Sequence, residues 1–184
     1  MKGAVRLGDH DDVPLETERL ILNPWRHSDW TAFRPIAEDA AVMRYINGGI
    51  PWNEEQIHDF VNRQVNLHVE RGFCRWKVVE RSSGDPIGFC GAGMWRDAVD
   101  PEIGWWLARR YWGRGLATEA AQIALRDLFE RVGLERVISV AMPENSASLR
   151  VMEKLGLRFQ REFESGGTRL VQYGMEATDW NQKP

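Results

Sequence analysis

Cysteine and histidine are scarce in this sequence, and their spacing argues against two kinds of site. Only two cysteines occur, Cys74 and Cys90, and they form neither a CxxC pair nor a disulfide framework. Both lie in apolar, strand-like runs, so we expect them to pack in the core. The four histidines show neither HxxxH nor HxH spacing, so we expect no metal site.

Long apolar runs and an excess of basic charge are also missing. No stretch approaches the roughly 20 consecutive apolar residues of a membrane span, and residues 1–14 lack the apolar segment of a signal peptide. The chain carries 24 basic and 27 acidic residues, a net charge of −3, so it has no basic field for gripping nucleic acid. These absences predict a cytoplasmic protein whose partners include neither nucleic acid nor membrane.

The length and periodicity of the chain predict one mixed α/β domain. Its 184 residues suit a single core, which we place at residues 15–180, between a flexible N-terminal arm (1–14) and a short tail (181–184). Apolar alternation predicts strands, and apolar residues at helical spacing predict helices. The predicted strands are Arg19–Trp25, Phe73–Glu80, Ile87–Trp95, Glu102–Arg109, Arg136–Met142, Leu157–Phe163 and Leu170–Ala177, and the predicted helices begin near Trp30, Asn53, Leu116 and Ser146. The three middle strands should form an antiparallel meander.

A glycine turn, Gly113-Arg114-Gly115, lies between a predicted strand and a clearly amphipathic predicted helix. Glycines there allow positive φ and let backbone N–H groups approach a ligand closely. The start of the helix adds free N–H donors and a positive dipole end, which favour a phosphate. Arg110 and Arg114 would add charge-assisted contacts. The alternative is a plain glycine turn with solvated arginines.

Two other phosphate motifs fit this sequence less well. No GxxxxGK[ST] string is present, so a P-loop is not predicted. The Gly-x-Gly string resembles a dinucleotide fingerprint, but Thr118 stands where the third glycine would be, and the preceding strands are predicted to be antiparallel. A nucleotide-dependent oxidoreductase is therefore the weakest of the alternatives.

Three segments, in order along the chain, resemble the GNAT acetyltransferase superfamily and, within it, the RimJ/RimL-type branch. They are Thr17–Leu22, the RxxGxG string followed by LATEA at residues 110–120, and Asn145–Ser148 together with Glu153–Leu157. The resemblance runs over about residues 15–180. It implies acetyl-coenzyme A as the donor. It also implies a largely antiparallel central sheet, splayed between strands 4 and 5 to admit the pantetheine arm and flanked by about four helices.

The resemblance also implies which residues hold the cofactor. The pyrophosphate would lie at the glycine turn and the start of the next helix, and the pantetheine arm would lie beside the fourth strand and Asn145. The residues assigned in this way are Trp106, Leu107, Arg110, Trp112, Gly113, Arg114, Gly115, Leu116, Ala117, Thr118 and Asn145. Asn145 is equally suited to cap the helix that follows it.

Glu102 is the candidate general base, because an amine attacks a thioester only in its neutral form. It begins the strand that leads to the glycine turn, and Glu-Ile-Gly-Trp-Trp-Leu resembles the fourth strand of family members that carry a glutamate base there. A wall such as Trp105 or Trp106 would desolvate the carboxyl and raise its pKa. The alternative is a carboxylate in water, or one paired with an arginine.

The departing thiolate also needs a proton, and here the sequence departs from the family. Many superfamily members place a tyrosine acid at the position of Met152, which cannot donate a proton. Ser148 lies four residues earlier, on the same side of the predicted helix. The resemblance implies that its hydroxyl hydrogen-bonds the sulfur or relays a proton. The plain alternative is a polar residue at a helix start.

The acceptor site is expected between the first two helices and the last hairpin, by resemblance. Six aromatic residues lie in those stretches: Trp25, Trp30, Tyr45, Trp52, Phe60 and Tyr173. The sequence thus predicts direct transfer, in a ternary complex, to a primary amine of a protein N-terminus or a small molecule. Because the tyrosine is missing, a non-catalytic acyl-coenzyme A binding module is the alternative. A homodimer is common in the family, but no pattern in the chain specifies one.

Overall fold

A computed structural model describes residues 13–94 and 99–180. Most of the predicted arm and the whole predicted tail therefore lie outside the described residues. The strands are β1 Leu15–Glu16, β2 Leu20–Asn23, β3 Arg75–Glu80, β4 Pro86–Gly93, β5 Glu102–Leu107, β6 Arg136–Ala141, β7 Arg158–Ser165 and β8 Thr168–Glu176. The helices are α1 Trp30–Ala37, α2 Ala40–Met43, α3 Glu54–Arg71, α4 Leu116–Arg126, α5 Ser146–Lys154 and α6 Ala177–Trp180.

The strands form one open sheet in the order β1-β2-β3-β4-β5-β6-β8-β7. Every neighbouring pair in this order is antiparallel except β5 and β6, which are parallel. This arrangement confirms the predicted mixed α/β fold with a largely antiparallel central sheet. It also confirms the antiparallel meander over β3, β4 and β5.

The seven predicted strands and four predicted helices all occur, with small differences at their ends. The structure adds the two-residue strand β1 and the four-residue helices α2 and α6, which are too short to leave a periodic pattern. The helix that begins at Leu116 follows α geometry to Arg126 and then widens into a π turn over Asp127–Arg131. Of the described helices, none is both long and apolar enough to cross a membrane.

The core lies between the sheet and the helices that cover it. The buried side of α4 carries Leu116, Ala120, Ala121, Ala124 and Leu125, and this helix packs against β4 and β5. Its small residues allow the helix to approach the sheet closely. The two cysteines are free and fully buried, as predicted, and burial raises the pKa of both thiols, so they act as small core residues.

Strand β4 contains two glycines where the neighbouring backbone leaves no room for a side chain. A Cβ added at Gly91, whose φ is 143°, would lie 2.3 Å from the Cys74 carbonyl oxygen. A Cβ at Gly88, whose φ is 153°, would lie 1.9 Å from the Trp106 carbonyl oxygen. Backbone atoms of β5 and of the segment leading into β3 therefore approach β4 closely on either side.

We expect Gly91→Ala to destabilise the fold by more than about 3 kcal/mol, because backbone must move to admit the methyl group. The measurement is urea unfolding. Gly84→Ala is the matched control: Gly84 also has positive φ, 73°, but its added Cβ meets nothing within 4 Å, so only about 1 kcal/mol should be lost. Equal losses in the two variants would contradict the close approach.

Candidate active site

The parallel strands β5 and β6 pair at one register position among the described residues and then part. Glu102 lies opposite Ile138. The next bond of a parallel ladder would join the Val140 N–H to the Ile103 carbonyl. Instead, the Val140 N–H donates to the Glu102 carboxylate, and the Ser139 hydroxyl donates to the Ile103 carbonyl at 2.9 Å. Side chains thus end the ladder.

This parting is the predicted splay. Because the short strand β1 precedes the predicted series, the fourth and fifth predicted strands are β5 and β6. The gap opens toward the ends of both strands, between the turn that follows Leu107 and the start of α5. The glycine turn and Asn145 therefore lie at the same end of the sheet as the gap.

Both glycines of the turn have the left-handed conformation, with φ of 72° at Gly113 and 78° at Gly115. Gly115 is the N-cap of α4, and among the described residues no side chain is hydrogen-bonded to the first N–H groups of this helix. The first donors of the helix are therefore the amides of Leu116, Ala117 and Thr118. Their uncapped N–H groups and the positive end of the helix dipole form an arrangement that suits a phosphate.

The two arginines of the turn are placed differently. The Arg110 side chain is 67% exposed and lies 3.3 Å from an Asp85 carboxylate oxygen. The Arg114 guanidinium donates to Glu80 at 2.8 Å, so its side chain is held against the sheet by an ion pair. Both guanidinium groups remain close to the turn, and their contact with a phosphate stays a prediction.

A hydrogen-bonded network joins two of the segments that carry the family resemblance. The Glu119 carboxylate accepts from the Thr17 hydroxyl at 2.6 Å and from Arg19 Nε at 2.7 Å. Arg19 Nη1 also donates to the Arg114 carbonyl oxygen at 3.0 Å. Burial alone would raise the pKa of Glu119, but the hydrogen bonds from Thr17 and Arg19 outweigh it and lower that pKa.

This network gives Thr17, Arg19 and Glu119 a role that the sequence analysis did not assign. The sequence identified both segments as motifs, but it carried no signal that they touch each other. Through Arg19, the start of α4 and the β1–β2 region both hold the backbone of the glycine turn. The turn is therefore fixed by side chains from a distant part of the chain.

Glu102 is buried, with 7% of its surface exposed, at the point where β5 and β6 part. Arg75 at the start of β3 reaches across β4 and forms an ion pair with the Glu102 carboxylate. Burial raises the pKa of Glu102, and the Arg75 charge and the Val140 N–H oppose this shift without cancelling it. The desolvation expected of a base and the arginine pairing named in the alternative therefore both occur, while a carboxylate in water does not.

A cavity of about 770 Å³ opens in front of Glu102. Because side chains alternate along a strand, Glu102, Gly104 and Trp106 face it together. Trp106, the residue at the far end of this row, also contacts Phe60 and Phe89. Trp106, rather than Trp105, is thus the tryptophan that lines the cavity.

The walls of this cavity come from the turn after α2, from α3, from β3 to β6 and from the β7–β8 hairpin. Of the six aromatic residues expected near the acceptor, Tyr45, Trp52 and Phe60 line it. The cavity therefore lies between the first helices and the last hairpin. Trp25 instead packs in the core, where its ring meets Phe33.

The remaining predicted cofactor residues lie along the gap. The Trp112 indole N–H donates to the Leu107 carbonyl oxygen at 2.7 Å, and its ring is half exposed. Asn145 caps α5 by accepting from the Ser148 N–H at 3.2 Å. Met152 is fully buried in the core. The capping role of Asn145 is thus observed, while the contacts of these residues with a cofactor stay predictions.

Arg75 is the functional candidate that the sequence analysis missed. It is the third residue of the predicted strand Phe73–Glu80 and the first of the observed β3, where a charged residue gives no distinctive signal. Its proximity to Glu102 depends on the pairing of Arg75 with Gly91 and of Gly93 with Glu102. Within residues 13–94 and 99–180, no cluster of three or more His, Cys, Asp or Glu side chains is placed to hold a metal ion.

Comparison with known families decides the identity of the fold. The family model of the acetyltransferase (GNAT) domain matches residues 19–158. The chain belongs to the GNAT acetyltransferase family. The gap between β5 and β6 and the glycine turn therefore lie in a family of acetyl-coenzyme A-dependent acyltransferases.

Individual relatives cover most of the chain. YnaD of Bacillus subtilis, described as an uncharacterized N-acetyltransferase, is 33% identical over 150 residues, which cover 82% of this chain and 85% of YnaD. The FsC-acetyl coenzyme A-N(2)-transacetylase of Aspergillus fumigatus is 29% identical over 161 residues, covering 81% of this chain and 66% of that enzyme. These relatives support an N-acetyltransferase without indicating one acceptor.

Solved structures show the same architecture. The GNAT-family acetyltransferase of Bacillus anthracis superposes with a TM-score of 0.77 at 28% identity, over 90% of this chain and 99% of that one. RimL, the ribosomal L7/L12 alpha-N-protein acetyltransferase solved with coenzyme A, superposes with a TM-score of 0.76 over 91% and 99% of the two chains. At 16% identity, this match shows that RimL and this chain share a fold. The predicted resemblance to the GNAT superfamily is confirmed by the family model, and RimL is among its structural neighbours.

Proposed function

We propose that the protein transfers the acetyl group of acetyl-coenzyme A to a primary amine by direct attack in a ternary complex. The observation that carries this proposal is the position of Glu102. Its buried carboxylate lies at the junction of the β5–β6 gap and the 770 Å³ cavity. A base at this junction reaches an amine in the cavity while the acetyl donor occupies the gap.

The residues at the gap suit acetyl-coenzyme A. The uncapped start of α4 and the left-handed turn at Gly113 and Gly115 would hold the pyrophosphate, with Arg110 and Arg114 adding charge. The pantetheine arm would lie between β5 and α5, against the backbone at Trp106 and Leu107 and the side chain of Asn145. When bound there, the cosubstrate supplies an activated acetyl thioester.

Glu102 would take the proton that the amine loses as the new amide bond forms. Its raised pKa makes its carboxylate a stronger base than an exposed glutamate, while Arg75 keeps enough of it ionised to act. The thiolate leaves as the C–S bond breaks and must be protonated. Met152 cannot supply that proton, so we assign a relay to the hydroxyl of Ser148, one helical turn earlier on α5. The hydroxyl would pass its proton to the sulfur as it accepts another from water.

We expect Glu102→Gln to lower turnover about 100-fold or more, because the amide cannot accept the proton. Its affinity for acetyl-coenzyme A should stay near that of the wild type. The measurement is thiol release from acetyl-coenzyme A with a panel of amines, with Glu55→Gln, an exposed position on α3, as the control. Undiminished turnover would remove Glu102 from the mechanism.

The same panel separates the enzyme from the binding module. If the wild-type protein binds acetyl-coenzyme A tightly but no amine releases thiol, the proposed transfer is wrong. In that case, the fully buried Met152 in place of an acid would mark a member of the family that binds acyl-coenzyme A without turning it over.

Arg75 sets the pH range in which Glu102 is ionised. Removing the guanidinium in Arg75→Met leaves burial unopposed by that charge, so the pKa of Glu102 rises further. The acidic limb of the kcat/KM profile should therefore move to higher pH, and Arg75→Lys, which keeps the charge, should move it less. A limb that stays in place in Arg75→Met would show that Arg75 does not act on the base.

The Thr17–Arg19–Glu119 network should favour the use of a donor that carries a pyrophosphate, because it fixes the turn proposed to bind that group. In Arg19→Gln, the glycine turn loses a contact to its backbone, so the preference for acetyl-coenzyme A over S-acetyl-N-acetylcysteamine, which lacks the pyrophosphate, should fall about tenfold. The measurement is the ratio of kcat/KM for the two donors.

Arg34→Gln is the matched control for this experiment. Arg19 and Arg34 are both 45% exposed and both form an ion pair with a glutamate, but Arg34 lies on α1, where it pairs with Glu38. An equal fall of the donor ratio in both variants would mean that the effect is general and does not come from the turn.

A further inference from the structure

The charges around the cavity are not balanced. The cavity is lined by three arginines, Arg44, Arg63 and Arg75, and by two glutamates, Glu70 and Glu102. Arg75 and Glu102 neutralise each other in the depth of the cavity. The part contributed by the turn after α2 and by α3 is therefore left with two arginines and one glutamate.

The two arginines of this part are not paired with carboxylates, unlike several arginines elsewhere in the chain. Arg19, Arg34 and Arg81 each lie 2.5 to 2.8 Å from a carboxylate oxygen. Within residues 13–94 and 99–180, neither Arg44 nor Arg63 forms an ion pair. In a chain with more acidic than basic residues, the two arginines beside this cavity thus keep charges that no described carboxylate compensates.

Arg44 and Arg63 both line the outer part of this cavity. On α3, Arg63, Leu67 and Glu70 follow each other at helical spacing, so they share the face that lines the cavity. Arg44 ends the neighbouring helix α2, and its guanidinium lies 5.2 Å from the centre of the Tyr45 ring. The stacking leaves the N–H groups at the guanidinium edge available to a ligand.

We infer that the amine acceptor also carries an anionic group, a carboxylate or a phosphate, which Arg44 and Arg63 bind. This inference rests on the proposed function. The amine would lie beside Glu102 in the depth of the cavity, where the carboxylate accepts its proton, while the two guanidiniums attract the anion to the outer part. Trp52, Phe60 and Trp106 lie among the lining residues, so an apolar or aromatic body between the two charged groups fits.

The charge of the whole protein strengthens this selection. A net charge of −3 gives the chain no general attraction for anions. An anionic acceptor is therefore favoured where cations are in local excess, which is the outer part of this cavity. An amine without an anionic group would gain nothing from Arg44 and Arg63.

The test uses two acceptors that differ in one group, 4-(aminomethyl)benzoate and 4-(aminomethyl)benzamide. Both present the same benzylic amine on the same ring. For the wild type, we expect kcat/KM to favour the carboxylate about tenfold or more. In Arg44→Gln/Arg63→Gln, this ratio should fall at least about tenfold, and Arg63→Glu should favour the amide. Arg126→Gln, an exposed position at the end of α4, is the control.

A third acceptor, 4-(aminomethyl)phenylphosphonate, distinguishes the two anions, because a doubly charged phosphonate should exceed the carboxylate if the natural group is a phosphate. Equal kcat/KM values for benzoate and benzamide in the wild type would overturn the inference. So would a ratio that the double variant leaves unchanged.

A binding measurement separates this inference from the proposed transfer. Calorimetric titration of the two benzyl derivatives into the protein with coenzyme A reports the preference for the anion without any turnover. Tighter binding of the benzoate, lost in the double variant, would support the inference even if no thiol were released. Turnover of both compounds without a preference would leave the transfer standing and the anion site refuted.

Discussion

The parting of β5 and β6 is the constraint on which the rest of the site depends. Two parallel strands normally continue their ladder, and leaving their buried N–H and carbonyl groups unpaired would be costly. Here, the Glu102 carboxylate accepts a hydrogen bond from the Val140 N–H, and the Ser139 hydroxyl donates one to the Ile103 carbonyl. The groups that end the ladder are thus satisfied by side chains. One of those side chains is the candidate base, Glu102. The residue that ends the ladder therefore also places a carboxylate at the opening of the sheet.

The donor side of the site is stabilised from outside its own segment. A left-handed glycine turn has few conformational restraints of its own, since glycine loses more backbone freedom on folding than other residues. Arg19 holds the Arg114 carbonyl and is itself held by Glu119, which also accepts from Thr17. The residues that fix the turn therefore leave its own amides uncapped. This explains why two distant motifs occur together in one chain.

Much of this arrangement could be predicted from the sequence, and what could not has a definite physical cause. Apolar periodicity located the seven longer strands and four longer helices, and the glycine turn followed from its place between a strand and a helix. Strand β1 has only two residues, so it leaves no pattern. The Arg75–Glu102 pair depends on the register of three strands, and the contact of Arg19 with Glu119 spans 100 positions. The spacing of residues along the sequence predicts neither of these two contacts.

The proposed donor and acceptor sides of the site are built from different elements, and this difference bears on the choice of acceptor. The donor side uses β5, β6, α4 and the turn between strand and helix, which together define the fold. The acceptor cavity is closed by the turn after α2, one face of α3 and the β7–β8 hairpin. Side chains on these surfaces change without disturbing the parting of the strands, because they lie outside the ladder that supports it. The proposed selection of the acceptor therefore depends on residues such as Arg44 and Arg63, which line the cavity and form no ion pair among the described residues.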